Sequence, residues 1–366
     1  MKAKPTLVFT VTNELVYDQR MIRICTSLAQ NNYQVVLVGC KHRGAAPLQN
    51  EPFQQVRLRS WFRKGFGFYA EYNIRLFFYL LFRRMDLVCA IDLDTILPCY
   101  LVARLRRKKK VYDAHELFCE MQEIVERPRI YRVWKWIERR TVPHFKTGYT
   151  VNQPIAGEFS RMYGVQYAVV RNVPFLRALH IPEKKEKYIL YQGAVNEGRS
   201  FDTLIPAMQN VPARLLIAGD GNYMSQVREL IKKYGLEEKV ILLGRVQPAA
   251  LREITRQAWA GVTLFEDKGK SNYFSLANRY FDYLHAGIPQ LCVDYPVYRE
   301  LNNSGPIALL TRDLAPQSLA AGLNRLLNDS DLYNSLQANC IIKRNEMNWQ
   351  EEEKTLLKIY HSLFER

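Results

Sequence analysis

Ten short apolar runs, each closing on polar residues and separated by longer stretches, leave this chain few folds to choose from. In the first half they are TLVFTVT, YQVVLVG, MDLVCAID, KKVYDA and TGYTVN, and residues 18–31 place Ile22, Cys25, Leu28 and Ala29 at helical spacing between the first two. Runs this short and this uniformly apolar suit strands buried on both faces, and strands alternating with helices make a parallel sheet covered on both sides. The second half repeats the grammar in KYILYQG, ARLLIAGDG, KVILLGRV, AGVTLFE and IPQLCVD, with MSQVRELIKKYG and PAALREITRQA as helices between them. The expectation is α/β, with two Rossmann-like lobes. Residues 1–172 form the first lobe and 173–187, with prolines and a charged run but no periodicity, form a linker. Residues 188–346 form the second lobe. Residues 347–366 carry Leu356, Leu357, Ile359, Tyr360 and Leu363 at helical spacing, which predicts a terminal amphipathic helix.

The net charge of +16 is unevenly spread. Residues 1–180 hold 29 Lys and Arg against 14 Asp and Glu, whereas residues 181–366 hold 23 against 22. A basic first lobe suits an anionic partner, whether nucleic acid, a phosphate-bearing substrate or an anionic lipid surface, and a merely solvated surface is the plain alternative. The seven cysteines show no CxxC and no paired spacing, and no secretory leader is legible, so a reduced, cytoplasmic protein is expected. The longest strongly apolar run, LFFYLLF, is far too short to span a bilayer.

Ligands of open α/β sheets collect beyond the carboxyl ends of the strands, so the residues that close each run matter most. YQGAVNEGRS offers Gly193 for a tight turn and Arg199 as a cationic fork for phosphate oxygens. AGDGN supplies Gly221 in a sharp loop without a complete dinucleotide fingerprint, and LLGRV supplies Gly244 and Arg245. In SLANRYFDYLHAGIPQ, Asn278 reads as the N-cap of a helix over 279–286, closed by Gly287 and Pro289. Its positive end, with Arg279, suits an anion, and Asp282 one turn on suits ribose hydroxyls. An ordinary capped helix with solvated charges is the competing reading.

That stretch resembles the pattern LPNKLFEYMAAGLPV of the large retaining glycosyltransferase family four, which has the two-lobe GT-B fold. The similarity continues through DQRMIRICTSLAQNNYQVVLVG, VYDAHELFCE, TVNQPIAGEFSRMYGVQYAVVRNVP, YQGAVNEGRS and NWQEEEKTLLKIY. It implies an interlobe cleft, a C-terminal helix crossing back to the first lobe, and transfer of a sugar from a nucleotide-diphosphate donor held by the second lobe. Arg199 falls on a phosphate-binding Lys or Arg, Asn278 and Arg279 on an Asn-Lys pair, and Asp282 on the acid that holds the ribose. Five positions depart from the pattern: Val195 lies near a second phosphate-binding Arg, Ala277 replaces Pro, Asp282 replaces Glu, Phe274 stands where an earlier Glu would be, and Ile91 replaces the His that precedes the acid at position 92.

Breaking a sugar–diphosphate bond builds negative charge on the leaving group, which Arg199, Arg279 and the helix end would stabilise with no metal or other cofactor. The DLD at 92–94 follows a buried run and is not read as a metal motif. Asp92 fits the strand-end position that faces the sugar in similar enzymes. His115 and Glu116 either bond sugar or acceptor hydroxyls or stabilise their own loop, and HELFC lacks the second His of a zinc helix. Arg20 either approaches the diphosphate or pairs with Asp18. Aromatics mixed with cations over 61–84, and RLRRKKK at 104–110, suit an anionic membrane surface where a lipid-linked acceptor would be met. The expected activity is a retaining, metal-independent glycosyltransferase acting on a glycan or lipid-linked acceptor in cell-surface polysaccharide synthesis, cytoplasmic or peripheral on the inner membrane face, with no nucleic-acid partner. An epimerase of the same fold, or a basic lipid- or nucleic-acid-binding protein, are the alternatives.

Overall fold

The computed structural model describes residues 4–41, 44–62, 64–182 and 186–365. The chain divides into two compact units, 1–172 with 352–366, and 173–351.

The first unit is built on β1 (Thr6–Thr10), β2 (Gln34–Lys41), β3 (Gln54–Arg59), β4 (Leu87–Ile91), β5 (Lys109–Ala114), β6 (Gly148–Thr150) and β7 (Ala168–Val169). All pair in parallel, in the order β3-β2-β1-β4-β5-β6-β7. Every residue of β1 and β4 is buried, as central strands covered on both faces require. The helices are α1 (Gln19–Gln30), α2 (Gly65–Phe82), α3 (Ile96–Leu105), α4 (Gln122–Val125), α5 (Pro128–Thr141) and α6 (Gln153–Tyr163). The Asp18 side chain starts α1 by accepting from the Met21 amide at 3.1 Å.

α2 is apolar on two faces. Phe68, Tyr72, Leu76 and Leu80, four residues apart, are buried against the sheet. Phe66, Ile74, Phe78 and Phe82 stand 54–82% exposed.

The second unit repeats the plan with β8 (Tyr188–Gln192), β9 (Arg214–Ala218), β10 (Val240–Gly244), β11 (Ala260–Thr263), β12 (Gln290–Val293) and β13 (Ala308–Thr311). These also pair in parallel, in the order β10-β9-β8-β11-β12-β13. Its helices are α7 (Phe201–Ala207), α8 (Met224–Lys233), α9 (Pro248–Gln257), α10 (Lys270–Tyr273), α11 (Asn278–Ala286), α12 (Pro296–Asn303), α13 (Pro316–Asn328) and α14 (Ser330–Lys343).

The final helix, α15 (Trp349–Phe364), begins in the second unit, where the Trp349 amide donates to Pro174 O at 2.9 Å. Its remainder belongs to the first unit. There Glu352 takes the Arg171 Nε at 2.6 Å and its amide at 2.8 Å, and the fully buried Tyr360 ring packs on Phe9 and Tyr149.

In each sheet the strand order reverses once, between β1 and β4 and between β8 and β11. Chain leaving such a pair of strands turns to opposite faces and opens a crevice beyond their carboxyl ends. The residues after β4 and β8 therefore occupy the ligand-binding end of each unit.

Candidate functional site

At the second reversal, β8 closes on Gln192 and the chain turns at Gly193, whose φ of +121° disfavours any side chain. The following loop lies backbone to backbone on the 219–221 turn. A Cβ on Gly219 would fall 1.8 Å from Gly193 O, and one on Gly221 2.2 Å from Val195 O. Val195 N and Asp220 O latch the two segments at 3.1 Å. Gly221 is thus required by close packing beneath the 193–199 loop.

That loop delivers Arg199 onto Phe265, just beyond β11, with its guanidinium 4.4 Å from the ring centroid and Nη1 donating to Asn272 Oδ1 at 2.9 Å. From the other side of the reversal, α11 delivers Arg279 to the same ring at 4.9 Å and to Tyr191 at 4.6 Å. The helix is seated by Tyr283, whose hydroxyl donates to Leu190 O at 2.8 Å. Its ring fits over Gly261, where a Cβ would approach within 2.4 Å. Arg279 is 7% exposed, its Nε is buried without an acceptor, and no carboxylate among the described residues pairs with it. Its Nη1 and Nη2 donate to the Tyr191 hydroxyl and to Leu264 O, each at 3.5 Å; these and the cation–π contacts, which contribute about 0.5–2 kcal/mol, do not neutralise a buried charge.

The start of α11 corrects the expectation for Asn278. Ala277 occupies the N-cap, extended at φ −70° and ψ 134°, with its amide donating to the Tyr298 hydroxyl at 3.0 Å; Asn278 is the first helical residue and is exposed. Gly287 closes the helix at φ +65°. Asp282 accepts from Gln192 Nε2 at 2.7 Å, and Gln192 Oε1 accepts from Thr255 at 2.7 Å, so a buried glutamine aims the carboxylate at the end of β8. Gly193, Arg199, Arg279 and Asp282 are therefore brought together. Gly244 and Arg245 lie at the end of the edge strand β10, where Arg245 is exposed and pairs with Asp220 at 3.4 Å.

At the first reversal, Asp92 follows β4 with φ +53°, a strained value for a residue with a side chain. The strain is held in place. Asp92 Oδ1 accepts from the His115 amide at 2.8 Å and Oδ2 meets His115 Nδ1 at 3.1 Å. On the other ring edge, His115 Nε2 lies 3.2 Å from Asp113. Burial works against the imidazolium, but Asp92 and Asp113 outweigh it and hold the His115 pKa well above its ordinary value. The ring is thus held between two carboxylates.

Arg20 corrects a second expectation. Its guanidinium, 3% exposed, donates Nε and Nη2 to Asp113 at 3.2 and 2.8 Å and Nη1 to Val170 O at 2.9 Å. Asp18, its expected local partner, is occupied as the α1 cap, and Arg20 is instead buried on Asp113. Burial raises the Asp113 carboxyl while Arg20 and His115 more than offset this, so its pKa is lowered.

Glu116 is half-buried beside His115. Asp94, bonded by the Thr12 hydroxyl, is pushed up to about 7 by burial and by Asp92. Among the described residues no three His, Cys, Asp or Glu come together to hold a metal ion.

Sequence reasoning missed Phe265, Gln192, Asp113 and Asp94. Strand-end position marks the first three, but a platform for two arginines and a bridge to a residue 90 positions away have no local pattern.

Residues 19–174 match the model of Glycosyltransferase Family 4, and residues 174–342 match that of Glycosyl transferases group 1. An N-acetylgalactosamine-N,N'-diacetylbacillosaminyl-diphospho-undecaprenol 4-alpha-N-acetylgalactosaminyltransferase of Campylobacter jejuni subsp. jejuni is 28% identical over 159 residues. That match spans 43% of this chain and 41% of the relative. The Anabaena protein Alr3699/HepE in complex with UDP-glucose superposes with a TM-score of 0.77 at 12% identity, over 98% of this chain and 100% of that one. Sucrose-phosphate synthase from Thermosynechococcus elongatus gives 0.80 at 15% identity, over 98% and 99%. With one glycosyltransferase model on each half and these structures over nearly its whole length, the chain has the GT-B fold and is similar to Glycosyltransferase Family 4 over residues 19–174 and to Glycosyl transferases group 1 over residues 174–342.

Proposed function

We propose that this protein transfers a sugar from a nucleotide-diphosphate donor to a glycan or lipid-linked acceptor. The observation that carries the reading is Arg279, a buried guanidinium without a carboxylate partner, gathered with Arg199 on Phe265 beside the positive-φ turn at Gly193. A diphosphate supplies the missing negative charge, and Asp282, aimed by Gln192, supplies an acceptor for ribose hydroxyls.

When the bond from the sugar to the diphosphate breaks, charge grows on the leaving oxygens. Two fixed guanidiniums and the start of α11 stabilise it there, so we infer a metal-independent transfer that needs no cofactor. Retention of configuration rests on the likeness to family four. In the first unit, His115 holds Asp92 rather than serving as a base, because both its ring nitrogens face carboxylates. Asp92, with Glu116 beside His115, is assigned to sugar or acceptor hydroxyls.

A lipid-linked acceptor is favoured by α2, whose exposed Phe66, Ile74, Phe78 and Phe82 stand among Lys64, Arg83 and Arg84. Such a face suits an anionic bilayer on which the protein would lie peripherally. No helix among the described residues is long and apolar enough to cross a membrane.

The test is calorimetric binding of a panel of nucleotide-diphosphate sugars, followed by donor hydrolysis without acceptor. Arg279→Lys and Asp282→Ala should each weaken the preferred donor at least tenfold, about 1.4 kcal/mol. Unchanged affinity in both would overturn the assignment.

A further inference from the structure

A cavity of about 770 Å³ opens in the first unit, walled by α2, α4 and α5. Volumes of this size are typical of ligand sites. Its floor is aromatic, with Trp134 edge-on to Phe118 at 5.0 Å and to Tyr69 at 5.3 Å. Ile74 and Ile130 line it and are 59% and 39% exposed, so the interior is continuous with the apolar outer face of α2.

Charge is confined to few places. Arg127 and Arg129 stand at the start of α5, with Glu123 near them, and Asp94 lies where the wall meets the end of β4. Water is a poor occupant of such walls, and a free anion would leave them unused. A bare hydrocarbon would leave the two arginines and the positive end of α5 unused. One ligand class uses both.

We propose that this cavity binds the hydrocarbon chain of a lipid phosphate or diphosphate, with the anionic head at Arg127 and Arg129. The proposal rests on the reading that the acceptor is lipid-linked, and it places that lipid beside Asp94, two residues from Asp92. The exposed α2 face meets the bilayer, and the cavity draws one chain out of it.

The probe is farnesyl diphosphate, titrated into the full-length protein, with inorganic diphosphate as the head alone and phosphatidylglycerol–phosphatidylcholine vesicles as the bilayer alone. Farnesyl diphosphate should bind at least tenfold more tightly than inorganic diphosphate. Ala70→Trp, which fills the cavity, and Ile130→Asp, at an exposed position, should each remove that gain while leaving inorganic diphosphate binding unchanged.

No preference over inorganic diphosphate would overturn the proposal. So would vesicle binding that both variants retain together with an unchanged farnesyl diphosphate affinity, which would mark a bilayer contact only. Nucleotide-sugar affinity, measured on the same proteins, separates the two ideas. A protein that binds farnesyl diphosphate in the cavity but no nucleotide sugar refutes the proposed function alone, and the converse refutes the cavity alone.

Discussion

Replacing Asp94 with Asn separates charge from packing at the end of β4. The two side chains are nearly the same shape, and Asn still accepts from the Thr12 hydroxyl. In the folded chain, burial and then the Asp92 carboxylate move Asp94 from 3.8 up to about 7. Above 3.8 an unfolded chain has released the proton that the folded chain keeps, so this group lowers stability as pH rises, until the pH passes the folded value. Between pH 5 and pH 8 the folded group loses its advantage over about two pH units, or about 3 kcal/mol. The carboxyl is half-buried rather than sealed, which discounts this to about 2 kcal/mol. The D94N protein should therefore gain stability over the unmodified one by about 2 kcal/mol as pH rises from 5 to 8. Native-state hydrogen exchange at the β4 amides reads this unit by itself, which matters because a two-unit chain need not unfold in one step. A difference between the two proteins that stays constant with pH, or narrows, would refute an elevated Asp94.

Two further substitutions probe the second unit. Gly219→Ala places a methyl group 1.8 Å from Gly193 O, so the loop must move; thermal stability should drop and nucleotide-sugar affinity should fall at least tenfold in calorimetry. Gln192→Ala strips Asp282 and Thr255 of their shared partner, at a cost of about 1–3 kcal/mol in urea unfolding. Donor affinity should fall with it, because Asp282 is no longer aimed.

The buried central strands were legible because every residue of β1, β4 and β8 is apolar or nearly so and lies between neighbours. β3 was not: QQVRLR is half-buried at a sheet edge and has no apolar run to betray it. β13 likewise sits at the edge of its sheet, and β7 is only two residues long. Asn278 is a good cap by residue type, yet Tyr298 fixes the amide of Ala277 and shifts the helix start by one. Arg20 misled for a related reason. Its partner Asp113 is 93 residues away, at the end of another strand, and only the sheet order brings them together. Arg199 and Arg279 were visible as cations after strands, but their common seat on Phe265 depends on which strands are neighbours.

The path of α15 bears on how the protein is made. Tyr360 fills space between Phe9 and Tyr149, and Glu352 ties down Arg171, so the first unit borrows part of its interior from residues translated after the whole second unit. A ribosome that has released residues 1–172 has delivered a sheet with a hole beside β1. That hole stays open through the synthesis of the next 179 residues and is closed only as the helix docks. The order of synthesis thus makes the first unit the last to be finished, and chaperones that mask exposed apolar surface have their longest opportunity on the half of the chain that emerges first.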